Sequence, residues 1–337
     1  MRIALVAVGL LACRGPINDQ FNVQTADGVL LPVMVRGDLE SSETLVLYET
    51  GGPYGGGIEE RLVDYQWFSD TLEPHLAIAY YDRRGYGNKN GRYRPDDISV
   101  DNLVSDMDDV LTVLRERYDP ARLVLMGHSF GGFATGRYLA SRPEADIDAW
   151  VSSAGAVVTG GDAAYVPYRL AFVCRLSADR LAASDADPLW TEIDTWCQTD
   201  PKVDPEDWEQ PARRTLSGYL DAIYERVGDP PLRAGPLLGA VFGSSYNVTD
   251  VLLTANELSS RLSEETREMD LLSELANVSV PTLFVSGEYD DIVPTEIAID
   301  AAERIEDAQS IEIESGGHYP TWPDPQPFAD AVLDFLR

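Results

Sequence analysis

From residue 21 onward the hydrophobic positions fall into two alternating patterns. Strand-like runs occupy 21–25, 31–36, 44–49, 76–81, 122–126, 147–152, 281–286 and 310–314. Each is of strand length, and most are apolar throughout. Asp27-Gly28 separates the first two and is a hairpin turn signal. Between the later runs the spacing changes to three and four. Over 100–118 the apolar residues are Leu103, Met107, Val110, Leu111 and Leu114, one face of a helix. Segments 130–141, 297–305 and 328–336 also read as helices. Strands without a polar face, spaced by helices, predict an α/β protein: a mostly parallel central sheet with helices on both faces.

The rhythm breaks between 157 and 270. This stretch is richer in Asp, Pro and Trp (Trp190, Trp196, Trp208), and its periodic parts are helical. It predicts a helical cap, 157–270, inserted into a core made of 21–156 and 271–337. No internal repeat or low-complexity tract stands out.

Composition narrows the partners. The 337 residues carry 26 Lys+Arg against 57 Asp+Glu, a formal net charge of −31. Such a surface repels phosphate backbones and anionic lipid headgroups, so nucleic acid is excluded as a partner. At 44% hydrophobic and 25% charged residues the chain is globular rather than disordered. Lys89 and Lys202 are its only lysines. An acid-rich, lysine-poor surface fits a saline habitat, and GC-rich coding would equally favour arginine.

Residues 1–13 place one positive charge before a short apolar run that ends at Leu10-Leu11-Ala12-Cys13. The run is too short to span a bilayer, which takes roughly 20 residues. It has the n-region and h-region of an export signal, and its end resembles the lipobox of bacterial lipoproteins. The expectation is a signal peptide over 1–12, lipid on Cys13, a tether over 13–20, and an exported, lipid-anchored protein of the cell envelope. Simple secretion and a buried first strand in a cytoplasmic protein are the alternatives. With Cys13 lipidated, Cys174 and Cys197 remain as a pair that an oxidising compartment could join in a disulfide. Two buried free thiols are the other reading. Neither lies in a zinc-type cluster, so no metal site is expected.

The chemistry sits at strand ends. Gly127-His128-Ser129-Phe130-Gly131 joins the strand ending near 126 to the helix from 130. G-x-S-x-G in that context is a nucleophile elbow, with Ser129 as nucleophile and the Phe130 N–H as an oxyanion donor. Of the three histidines, His75 precedes a strand and His128 lies within the elbow. His318 follows the last strand in Ser315-Gly316-Gly317-His318 and is the expected base. Asp290, just past the strand 281–286, is the expected acid, with Asp291 and Glu288 as rivals. Gly51 and Gly52 follow the strand 44–49. The Gly52 N–H is the expected second oxyanion donor and Gly51 the next choice. Pro53 has no N–H.

These segments resemble the α/β hydrolases from about residue 21 to the end. Gly51-Gly52-Pro53 resembles the H-G-G-P-G segment of the prolyl iminopeptidase-like serine peptidases. Asp82-Arg83-Arg84-Gly85-Tyr86-Gly87 resembles their D-Q-R-G-x-G segment. Thr50 stands where that group has His, Tyr54 replaces the following Gly, and the elbow reads G-H-S-F-G in place of G-G-S-W-G. The resemblance implies an α/β hydrolase fold, acyl-bond hydrolysis through Ser129, His318 and Asp290, and no cofactor. It also implies that Asp82 and Arg84 tie their loop to the elbow region. Iminopeptidases grip the substrate's free amine with cap carboxylates. Glu192, Glu206, Glu209, Glu225 and Glu257 are the candidates here, with Trp208-Glu209 foremost. The expected substrate is a short peptide or amino-acid amide, which makes the protein an aminopeptidase. A carboxylesterase for small esters and a non-catalytic binding module on the same fold are the alternatives. Nothing in the sequence sets the oligomeric state.

Overall fold

The computed structural model describes residues 16–53, 55–63, 66–86, 95–228, 230 and 259–337. The expected signal segment 1–12 and Cys13 lie outside these residues, as do Tyr54, Gly87 and Glu257.

Eight strands form one sheet in the order β1-β2-β4-β3-β5-β6-β7-β8. They are β1 (Ile17–Gln24), β2 (Leu30–Gly37), β3 (Thr44–Glu49), β4 (Ala77–Tyr81), β5 (Arg122–His128), β6 (Ala149–Ser153), β7 (Thr282–Gly287) and β8 (Ala308–Ile313). Strand β2 runs antiparallel to β1 and to β4, and every other pairing is parallel. Strands β3 to β7 are buried along nearly their whole length, which explains their unbroken apolar runs.

The tether expected over 13–20 ends early. Ile17 pairs with Gly37 and Asp19 with Val35, so 17–20 belong to β1. As an edge strand, β1 alternates half-buried and exposed positions. Its Asn18 and Gln20 face outward, while half-buried Asp19 accepts from Arg117 and Tyr118 at 2.7 and 2.8 Å, so polar residues fill both faces and mimic loop composition.

Two helical layers cover the sheet. On one face lie α3 (Val100–Tyr118), α4 (Phe130–Ser141) and α9 (Thr295–Ala302). Leu103, Met107, Phe133 and Ile297 there pack with Leu45, Leu47, Ala79 and Leu125 of the strands. Helix α3 starts where Ser99 Oγ accepts the Asn102 N–H, and it ends at Asp119 in the left-handed conformation. The other face holds α1 (Gly57–Val63), α2 (Phe68–Thr71) and α10 (Gln326–Phe335). Phe68, Leu72, Phe328 and Val332 pack there on Val46, Tyr48, Ile78 and Val124.

Between β6 and β7 the described residues include α5 (Asp162–Ala182), α6 (Pro188–Cys197) and α7 (Pro211–Val227), a helical stretch over 259–266, and the short α8 (Leu271–Glu274). Helices α5 to α7 share a separate core of Phe172, Leu176, Trp190, Ile193, Leu216 and Ile223. The sulfurs of Cys174 and Cys197 are bonded, tying α5 to α6. Arginines of α5 fasten this layer to the sheet. Arg175 reaches Glu296 at 2.7 Å and Glu312 at 2.8 Å. Arg180 pairs with Glu288, and Arg169 donates to the Asp291 carbonyl at 3.2 Å.

Candidate active site

The parallel register brings the relevant loops to one sheet edge. Glu49 of β3 lies opposite Gly127 of β5, His128 opposite Ser153 of β6, and Gly287 of β7 opposite Ile313 of β8. The segments following β3, β5, β7 and β8 therefore emerge side by side at the strands' C-terminal ends, where ligands bind in open α/β sheets.

Ser129 sits between β5 and α4 with φ 52°. A side chain there costs on the order of 1–3 kcal/mol of backbone strain, so the surroundings must enforce it. The Ser129 N–H donates to the Ser153 carbonyl at 2.9 Å, and its carbonyl accepts the Ala156 N–H at 2.9 Å. The flanking glycines are steric requirements. A Cβ on Gly127 would lie 2.2 Å from the Gly131 oxygen, and one on Gly131 would lie 2.1 Å from the Glu49 oxygen.

His318 Nε2 lies 3.0 Å from Ser129 Oγ. Its Nδ1 lies 3.1 Å from both carboxylate oxygens of Asp290. A carboxylate accepts, so Nδ1 carries the hydrogen and Nε2 presents its lone pair to the serine hydroxyl. Asp290 is fully buried, and its Oδ1 also accepts the N–H groups of Ile292 and Val293 at 3.0 and 2.8 Å. These donors fix the orientation of the carboxylate. The acid and base loops meet at a Tyr289 N–H to Gly316 carbonyl bond of 2.7 Å. Neither rival acid touches the imidazole. Glu288 accepts the Ser315 N–H at 2.9 Å and pairs with Arg180. Burial, with the neighbouring Asp290 charge, pushes the Asp291 carboxyl up to about 6.

The sequence proposed two backbone N–H groups, of Phe130 and Gly52, as oxyanion donors. Phe130 opens α4, so its N–H precedes the first intrahelical bond and sits at the positive end of the helix dipole. In the loop after β3, Glu60 Oε2 accepts the Gly51 N–H at 3.2 Å. Gly52, at φ 61°, has no partner for its N–H among the described residues. The Gly51 N–H is thus taken by Glu60, while that of Gly52, the first choice from sequence, is not bonded among the described residues.

Three supporting residues carry no sequence signal of their role. His128 is buried and its Nε2 lies 3.0 Å from the His318 carbonyl. Glu60 Oε1 is 3.5 Å from His128 Nδ1. Arg83 is buried against Glu49 and the carbonyls of Thr50 and Gly52. Both Arg83 and Arg84 are buried, and a motif of two adjacent arginines does not reveal which one meets the loop after β3. The expected tie from Arg84 to the elbow region is corrected here. Arg84 instead bonds Asp106 at 2.6 Å and Asp27 at 3.0 Å, linking its loop to α3 and the β1–β2 turn. Asp82 Oδ1 accepts the Ile58 N–H at 3.1 Å and caps α1.

Among the described residues, the cap candidates Trp208, Glu209 and Glu192 have their contacts within the cap. Trp208 is 57% exposed and lies over the Arg213 guanidinium at 4.1 Å. Glu209 is exposed and paired with Arg214. Glu192 accepts from the Tyr219 hydroxyl at 3.4 Å, within the cap. The end of α7 does approach the base: a Cβ on Gly317 would lie 3.3 Å from Val227 Cγ1.

Known proteins resemble the chain over most of its length. The alpha/beta hydrolase family matches the chain over residues 55–331. A Bacillus subtilis protein named "Probable aminopeptidase YbaC" is 22% identical over 90% of this chain and 92% of its own. The structure of a proline iminopeptidase from Mycobacterium smegmatis superposes with a TM-score of 0.61 at 15% identity, covering 94% of this chain and 97% of that one. An esterase from Exiguobacterium antarcticum superposes with a TM-score of 0.58 at 18% identity, covering 94% and 98%.

Proposed function

Because the chain belongs to the alpha/beta hydrolase family, we propose that it hydrolyses an acyl bond through a covalent acyl-enzyme on Ser129. The observation that carries this is the 3.0 Å contact from Ser129 Oγ to His318 Nε2, with Asp290 behind the same imidazole. Ser129 Oγ attacks the substrate carbonyl carbon and passes its proton to His318 Nε2. The carbonyl oxygen becomes an oxyanion facing the N–H groups of Gly52 and Phe130. The tetrahedral intermediate collapses, and His318 hands the proton to the departing amine or alcohol. Water then repeats the sequence on the acyl-enzyme and frees Ser129. Asp290 holds the imidazole in the required tautomer and stabilises the imidazolium.

For the substrate, we propose an amino-acid amide or short peptide with a free N-terminus, and hence an aminopeptidase. The Gly51-Gly52-Pro53 segment and the end-to-end likeness to the aminopeptidase-named relative support it. A carboxylesterase is the second reading. It draws on the pairing of Glu209 with Arg214, which occupies the carboxylate favoured for gripping an amine. A panel of Pro-, Ala- and Leu-linked chromogenic amides beside acetyl to octanoyl esters separates them. Cleavage of free-amine amides but not N-blocked ones is the aminopeptidase result. Turnover of esters alone is the esterase result. No turnover, and no labelling of Ser129 by a fluorophosphonate, would leave the non-catalytic binding module.

The Cys174–Cys197 bond supports an oxidising compartment. With the Leu10–Cys13 sequence it supports the further proposal of export and lipid attachment at Cys13. Mass analysis of protein from its native membrane tests it: an intact Met1 would count against it.

A further inference from the structure

We propose that Arg83 is a positioning residue that sets both donors of the oxyanion hole. The proposal rests on the acyl-transfer reading above. Arg83 is 5% exposed. Its Nε bonds Glu49, the fully buried last residue of β3. Its Nη1 donates to the Gly52 carbonyl, and its Nη2 donates to the Thr50 carbonyl at 2.5 Å. Its guanidinium carbon lies 5.1 Å from the Phe130 ring centroid. One planar cation therefore touches the loop that carries the Gly52 N–H and the side chain of the residue that carries the other donor.

The geometry explains why this matters. Peptide units are rigid planes, and Gly51 and Gly52 have the loosest backbone torsions available. Arg83 grips the Thr50–Gly51 plane by its carbonyl, while Glu60 grips the same plane by the Gly51 N–H. Arg83 also grips the Gly52–Pro53 plane by its carbonyl. The Gly51–Gly52 plane between them, which bears the free N–H, is left with little choice of orientation. Across the site, the guanidinium face packs on Phe130 at the start of α4. A fork of fixed N–H directions suits this task, whereas one ammonium on a flexible stem cannot reach three diverging acceptors. Glu49 balances the charge, so the effect is one of placement rather than net field. Burial of the pair also explains why the fork must be fully satisfied.

Two variants test this: Arg83→Lys, which keeps the charge and loses the fork, and the neutral pair Glu49→Gln with Arg83→Gln. Each is checked for folding by circular dichroism. Turnover of p-nitrophenyl acetate should fall about tenfold or more in kcat, with KM within about threefold, as for loss of an interaction made in the transition state. Affinity for a trifluoromethyl ketone, whose adduct carries the oxyanion, should fall in parallel with kcat/KM. Amide hydrogen exchange across 50–53 should quicken by about tenfold or more, as expected when a held loop opens locally. Exchange unchanged in a folded variant, or kcat within about twofold of the parent, would overturn the proposal. The exchange arm needs no turnover. If the parent protein proved inactive and unlabelled by fluorophosphonate, the acyl-transfer reading would fall while exchange still decided whether Arg83 holds the loop.

Discussion

His128 Nε2 lies 3.0 Å from the backbone carbonyl of His318, the residue whose ring contacts Ser129. A carbonyl only accepts, so Nε2 of His128 carries the hydrogen. The residue before the nucleophile thus holds the backbone of the base. His128 also lies 4.8 Å, centroid to centroid, from the Tyr319 ring, next to the base in sequence. Removing the imidazole frees the His318 segment to shift. His128→Ala should lower kcat roughly tenfold to hundredfold, the scale of an ångström-level misplacement. Steady-state kinetics well below the variant's unfolding temperature would check this, and unchanged kcat would contradict it.

Glycines in this chain are not equivalent. An added Cβ at Gly131 meets backbone oxygens of Glu49 and Thr50 at 2.1 and 2.8 Å, which cannot yield without moving β3 from β5. Gly131→Ala should therefore destabilise by about 3 kcal/mol or more, or prevent folding. Gly218, inside α7, has nothing within 4 Å of an added Cβ. Gly218→Ala should stabilise by about 0.5–1 kcal/mol. Denaturant titration of both variants would measure the contrast.

Asp291 gives a pH dependence of known sign. Burial and the charge of Asp290 raise its carboxyl from 3.8 to about 6. The folded protein keeps this proton where the unfolded chain has released it, so Asp291 erodes stability as pH rises from about 4 to about 6. Above that range the cost is fully present. Asp291→Asn should raise the unfolding temperature at pH 8 and leave it nearly unchanged at pH 4. An equal gain at both values would contradict the shift.

Much of this architecture was legible in the chain because buried parallel strands must be apolar throughout. The runs at 44–49 and 122–126 coincide with β3 and most of β5, and the helical spacing of Leu103, Met107 and Val110 marks α3. Ser129, Asp290 and His318 could be proposed because each follows a strand, and parallel strands bring those ends together. Strand β1 began earlier than expected, since an edge strand tolerates Asn18 and Asp19. Arg83, Glu60 and the role of His128 were hidden for a different reason. Their partners lie at sequence separations of 31, 9 and 190. No periodicity links such positions, and a buried arginine looks like a surface one in sequence. Trp208 and Glu209 illustrate the reverse case: local contacts with Arg213 and Arg214, a few residues further on, that composition alone does not reveal.

The bond between Cys174 and Cys197 closes a loop of sequence separation 23. In the chain-entropy picture such a loop is worth about 3 kcal/mol. Reductant should lower the unfolding temperature of the parent protein and leave that of Cys174→Ser with Cys197→Ser unchanged. Thermal melts with and without reductant would read this directly, and an equal response of both proteins would contradict the bond's contribution.

The most direct measurement is intact-protein mass after reaction with a fluorophosphonate, followed by peptide mapping, for the parent and for Ser129→Ala. The expected result is one adduct on Ser129 of the parent, none on the variant, and loss of ester or amide turnover with the same substitution. Turnover retained by folded Ser129→Ala, or an adduct mapped to another residue, would contradict acyl transfer through Ser129, His318 and Asp290.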